Sequence, residues 1–117
     1  MGLKRVGLFG TRFTMRGRFY PEVFSREGIA IVLPGEDEQA YIHDKYMNEL
    51  VRGVFLPETR GRLLTIADRL IDQEGIEGQI LGGTELPLML RDDTHRGIPL
   101  LDTSRIHVKG VLDQILP

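Results

Sequence analysis

Cysteine is absent from the 117 residues, and with it go disulfides, thiolate metal ligands and thiol nucleophiles. An excess of either charge is also missing. Fifteen basic residues stand against 17 acidic ones, a formal net charge of −2, so there is no electrostatic case for nucleic acid or an anionic membrane as a partner. No apolar run approaches the length that spans a bilayer, and the first residues lack the long apolar core of a signal peptide. These absences make the cytoplasm the default compartment. The three histidines, His43, His95 and His107, have no metal-site spacing such as a His-Glu-x-x-His run. Neither a metal nor a cofactor is expected. Repeats, low-complexity segments and linkers are lacking too, and the length suits one domain over residues 1–117.

What is present is an alternation of apolar runs and amphipathic stretches. Residues 4–9, closed by Gly10, read as a first buried strand. Thr11 or Thr14 caps a helix predicted over residues 15–26, with Phe19, Val23 and Phe24 toward the core and Pro21 making its start irregular. The continuous apolar run 29–33 ends at Pro34-Gly35 and predicts a strand buried on both faces. Glu36, Asp37 and Glu38 suit the first turn of the next helix, whose stripe is Ile42, Tyr46 and Leu50, widened by Met47, Val51 and Val54.

Pro57 opens another helix with Leu63, Ala67, Leu70 and Ile71 on one side and Gly75 as a left-handed cap. Residues 79–81 form a third strand, 86–90 a helical turn and 91–97 a polar loop. Residues 98–101 are the last strand, where Pro99 suits an edge or first position. Residues 102–104 cap a final helix over about 104–116, with Val108, Val111, Leu112 and Ile115 on one side and Gly110 weakening it. This order implies an α/β fold, one small three-layer domain with a parallel sheet of about four strands flanked by helices.

Two strand ends carry residues suited to chemistry. Gln79-Ile80-Leu81 runs into Gly82-Gly83-Thr84-Glu85-Leu86, and Val6-Gly7-Leu8-Phe9 runs into Gly10-Thr11-Arg12-Phe13-Thr14. A strand, glycines and a helix start make a pocket of backbone N–H groups that attracts anions, and strands of an open α/β sheet bind ligands just past their C-terminal ends. The two loops are therefore expected to face one cleft sized for a carboxylate. Each residue also has an ordinary reading. Gly82 and Gly83 admit close approach by a ligand or a tight turn. Thr84 donates its hydroxyl to a carboxylate or caps the next turn. Glu85 is a general acid or base if desolvated, or a dipole-stabilising residue at a helix start. Arg12 pins a carboxylate with paired hydrogen bonds, or is one more solvated arginine beside Arg16 and Arg18. His107 follows the last strand closely enough to reach the cleft, or caps and packs.

The motif string resembles one family across almost the whole chain. Gly7-Leu8-Phe9-Gly10-Thr11-Arg12-Phe13-Thr14-Met15, followed by Phe19-Tyr20, resembles the start of the second half of aspartate/glutamate racemases. Pro34 to Gln39 (PGEDEQ), Leu81-Gly82-Gly83-Thr84-Glu85-Leu86, and Pro99-Leu100-Leu101-Asp102-Thr103 with Ile106-His107 resemble later motifs of that half, in order. The resemblance implies a cofactor-independent isomerase built from two similar α/β halves, with one acid/base residue from each flanking the substrate α-carbon. In the second half that residue is the cysteine of a glycine-cysteine-threonine-glutamate loop, and by position it falls on Gly83. The other half, with its own acid/base residue, is not among these residues.

The resemblance therefore implies a racemase-family domain that is inactive alone. Its substrate-binding residues would be Thr11, Arg12, Thr14, Gly82, Gly83, Thr84 and Glu85, with Arg52 and His107 as further candidates. The implied partners are a small dicarboxylate or acidic amino acid, and either a second copy of the chain or a complementary racemase half. The alternative is a non-catalytic module for small-carboxylate binding or assembly. A related isomerase or lyase using Glu85 or His107 as base ranks last.

Overall fold

The computed structural model describes residues 2–103. Five strands form one sheet in the order β2-β1-β3-β5-β4. β1 (Arg5–Gly10) pairs in parallel with β2 (Ala30–Val32) and with β3 (Gly78–Gly82), and β3 pairs in parallel with β5 (Ile98–Asp102). β4 (Thr94–His95) is the one antiparallel element, turned back on β5. The segment 91–97, expected as a loop, thus carries a short strand, and the sheet has five strands rather than about four.

Helices cover both faces, and the period of two along the strands decides which residue meets which layer. Phe9 and Leu81 point toward α3 (Glu36–Asn48), α4 (Pro57–Arg69) and α5 (Leu86–Met89), joining Ile42, Tyr46, Leu63 and Leu70 in the larger core. Val6, Leu8, Ile80 and Leu101 point the other way, against Phe24 of α2 (Phe19–Ser25). Burying a side chain of this size contributes about 1.5–3 kcal/mol, so both layers hold the sheet.

Several local readings are corrected. The helix expected over 15–26 is two: α1 (Arg12–Arg16) ends at Gly17, and α2 starts at Phe19. The break throws the periodicity out of phase, so Phe24 is buried while Phe19 is 57% exposed. β2 is an outer strand with Ala30 exposed, not one buried on both faces. Its apolar run reflects packing of Ile29 and Ile31 onto the α2 layer. Met47, Val51 and Val54 do not widen the core stripe of α3. That helix stops at Asn48, a 3-10 turn (Leu50–Arg52) follows, and left-handed Gly53 redirects the chain, leaving all three exposed.

Pro57 opens α4, whose end runs on through a π-helical turn (Leu70–Glu74) to left-handed Gly75. α3 and α4 are tied by Arg69, which donates from Nε to Glu38 Oε2 at 2.7 Å and from Nη2 to Oε1. Glu38 also accepts from the Gly35 N–H at 2.8 Å, closing the start of α3. The final helix over 104–116, with Val108, Val111, Leu112 and Ile115, lies outside the described residues, as does His107.

Candidate functional site

Parallel pairing of β1 with β3 sets Gly10 opposite Gly82, so the loops that follow leave the sheet side by side. The Thr14 methyl lies across both glycines. A Cβ at Gly10 would stand 2.9 Å from Thr14 Cγ2 and 3.0 Å from the Gly82 carbonyl oxygen. One at Gly82 would stand 3.0 Å from the Phe9 carbonyl oxygen and 3.1 Å from Thr14 Cγ2. Such distances leave no room for a side chain at either position without a shift of backbone. Glycine is required here by the approach of one loop to the other.

The first loop is held from within and from α3. Thr11 is the N-cap of α1, its hydroxyl accepting from the Thr14 N–H at 3.4 Å. The Arg12 N–H donates to His43 Nδ1 at 2.9 Å, which fixes the tautomer: His43 accepts at Nδ1 and carries its proton at Nε2. The Arg12 guanidinium has no ion pair among the described residues, and Phe13 beside it is 88% exposed. Arg12, Phe13, Arg16, Gly17 and His43 border a depression of about 490 Å³. A second depression of about 280 Å³ adjoins it, lined by Phe13, Thr14, Gly17, Arg18, Phe19 and Tyr20.

The second loop is held by its neighbours. From the α3 side, the Tyr46 hydroxyl donates to Glu85 Oε1 at 2.7 Å. From the α2 side, Thr103 donates to the Leu81 carbonyl at 3.2 Å, and Tyr20 lies 3.1 Å from the Thr103 hydroxyl. The Tyr46 bond, and after it one from the Thr84 hydroxyl, hold the Glu85 carboxyl below its ordinary range. Burial, and after it the bond to Glu85, push the Tyr46 phenol well above the usual tyrosine range. At neutral pH the pair is a neutral donor on an ionised acceptor.

Gly83 lies between them with φ +156°, a conformation L side chains rarely adopt. A Cβ there would overlap the Tyr46 hydroxyl oxygen and stand 2.9 Å from Tyr46 Cζ.

Of the residues singled out from the sequence, the fold gathers Thr11, Thr14, Gly82, Gly83, Thr84 and Glu85 at one end of the sheet, with Arg12 at its margin. Arg52 sits exposed on the 3-10 turn and makes none of the hydrogen bonds that join α3 to the two loops. His43, Tyr46 and Tyr20 were missed as site residues. A signal existed on α3: Gln39, His43 and Tyr46 recur at i, i+4 and i+7, a polar edge beside the apolar stripe. Gln39 uses it to donate to the Pro34 carbonyl at 2.8 Å. Among the described residues, no group of three or more His, Cys, Asp or Glu side chains could hold a metal ion.

Comparison with known proteins follows this geometry closely. The family model described as Asp/Glu/Hydantoin racemase matches residues 1–111. An uncharacterized protein encoded in the pnlA 3′ region of Pectobacterium carotovorum subsp. carotovorum is 32% identical over 92 residues, 76% of this chain and 57% of that one. A crystal structure of a candidate Asp/Glu racemase from Yersinia pestis superposes with a TM-score of 0.79 at 27% identity, covering 99% of this chain and 50% of its own. An aspartate racemase homologue from Pyrococcus horikoshii OT3 gives the same TM-score at 28% identity, covering 97% and 49%. The chain thus spans about half the length of these solved relatives.

Proposed function

Because the chain belongs to the Asp/Glu/hydantoin racemase family, we propose that its paired loops hold a small carboxylate, an acidic amino acid or dicarboxylate, without inverting its stereocentre unaided. The observation that carries this reading is the Thr14 methyl seated over both Gly10 and Gly82, which makes the two loops one surface. Backbone N–H groups around Gly83 and the exposed Thr84 hydroxyl face outward on that surface, with the Arg12 guanidinium at its rim. These are the donor types that grip a carboxylate. His107 belongs to the same proposal through its motif alone.

Racemisation needs one group to take the α-proton and another to return it on the opposite face. By resemblance the thiol of this half falls on Gly83, which has no side chain to do either. The two groups within reach of that spot are ill suited to replace it: the phenol of Tyr46 is too weak an acid and the Glu85 carboxylate too weak a base at neutral pH. Turnover by the chain alone is therefore not expected, and no cofactor is invoked. A second copy, or a complementary racemase half meeting the open loop end, would supply the facing wall. Among the described residues no helix is long and apolar enough to cross a membrane, and a cytoplasmic setting fits such a protein.

The test is thermal melting with L- and D-aspartate, L- and D-glutamate and succinate, alongside a racemisation assay on the chain alone. A ligand present at 100 times its Kd stabilises by about 2.7 kcal/mol, so binding is readable. A shift with at least one acid and no racemisation is expected. A flat response to all five sinks the binding reading, and turnover by the isolated chain sinks the inactive one. The non-catalytic carboxylate-binding or assembly module is favoured over a dormant enzyme by one feature, the filled space above Gly83.

A further inference from the structure

The hydroxyl of Tyr46 stands where a side chain at residue 83 would begin. A Cβ at Gly83 would run into that oxygen, with Tyr46 Cζ at 2.9 Å and Cε2 at 3.1 Å. Movement of the ring is opposed on two counts. Tyr46 is 4% exposed, packed in the larger core, so there is no solvent space to swing into. Its hydroxyl is also tied to Glu85 at 2.7 Å, and releasing it would leave a charged acceptor short of a donor.

We propose that Tyr46 has taken the place of a side chain at position 83, so that Gly83 and Tyr46 form one matched unit whose hydroxyl positions Glu85, and that a thiol put back at 83 is shut out until residue 46 is made smaller. The absence of a thiol is then not a single-residue loss. Reversal requires two changes, and the first alone is harmful. The functional consequence rests on reading this cleft as the ligand site, while the packing claim stands independently.

A double-mutant cycle separates this from ordinary backbone strain. The cost of placing any side chain at φ +156° is common to both backgrounds and cancels in the comparison. Gly83→Ala is made alone and with Tyr46→Val, and Tyr46→Val is made alone. The Tm loss caused by Gly83→Ala should be smaller by about 4 °C or more when residue 46 is valine. Equal losses in the two backgrounds overturn the proposal.

Gly83→Cys gives a second readout, the rate of thiol labelling by a disulfide reagent under native conditions. It should rise about tenfold or more on adding Tyr46→Val, the accessible thiolate being the reacting species; equal rates count against the matched unit. Should Gly83→Cys fail to fold, recovery by Tyr46→Val supports the proposal, and failure of both variants, with an additive alanine cycle, overturns it.

The positioning role is read with Tyr46→Phe, which keeps the ring and removes the oxygen. Carboxyl carbon NMR should show the Glu85 titration midpoint moving up toward the ordinary carboxylate range. An unchanged midpoint overturns that part. Ligand melting shifts on the unmodified chain test the cleft separately, so failure of binding and failure of the Tyr46–Gly83 match give different results.

Discussion

The loop after β1 ends in an unpaired guanidinium and an exposed ring, while the loop after β3 is filled by a phenol reaching over from α3. Both follow parallel strands that stop in register, Gly10 beside Gly82, and both take a hydrogen bond from one helix, through His43 in the first case and Tyr46 in the second. The difference lies in what that bond holds. His43 accepts from backbone and leaves the Arg12 side chain free to meet a ligand. Tyr46 donates to a carboxylate and occupies the space beside it. One helix therefore keeps one half of the cleft open and the other closed.

The largest effect should come from separating the loops. Gly82→Ala sets a methyl against the Phe9 carbonyl oxygen at 3.0 Å and Thr14 Cγ2 at 3.1 Å, and overpacking of this kind costs about 1–3 kcal/mol. Denaturant unfolding would show it, and an unchanged midpoint would mean the strand ends yield freely.

Next comes the closed loop. Tyr46→Phe should cost about 1–2 kcal/mol at neutral pH, the range for a hydrogen bond to a charged group. Its pH dependence has a definite sign. Glu85 has a folded-state pKa below its ordinary value, so the stability it contributes is present above the ordinary glutamate range and lost as pH falls through the lowered value. The gap between wild type and Tyr46→Phe should narrow between pH 7 and about pH 3. A constant gap would assign the phenol a packing role only.

The open loop should give less. His43→Ala removes the acceptor for the Arg12 N–H at an exposed position and should cost about 0.5–1 kcal/mol, with faster hydrogen exchange at the Arg12 amide. Smallest is Thr11→Ala. Its cap bond is long at 3.4 Å, which puts the loss near the low end of the capping range, about 0.5 kcal/mol. A larger loss for Thr11→Ala than for Tyr46→Phe would reverse the ranking of the two loops.

Much of this was legible in the residues because it is local. Apolar runs closed by glycine located β1 and β3, and Pro57 and Gly75 bracketed the second long helix. Errors arose where a neighbour decides. The run at 29–33 has the composition of a central strand, yet nothing in it states that no strand lies beyond. Met47, Val51 and Val54 continue the helical period on paper, and the turn at Asn48 ends the helix that would have aimed them inward. Tyr46 was read as core and is core. Its hydroxyl gained a role only because Gly83, 37 positions later in the sequence, lies beneath it. The family motifs located the loop, but contact between helix and loop is a property of the folded chain.

The outermost strands set a limit on how copies of this domain can meet. β2 offers three residues and β4 only two, and the turn beside β4 is clamped by Arg96 donating to Asp72 at 2.9 Å. Such short borders give an incoming strand little to zip onto, so fibril-like growth by extending the sheet sideways is disfavoured. Any lasting assembly must be made end-on, through the loops themselves, or across the helical layers.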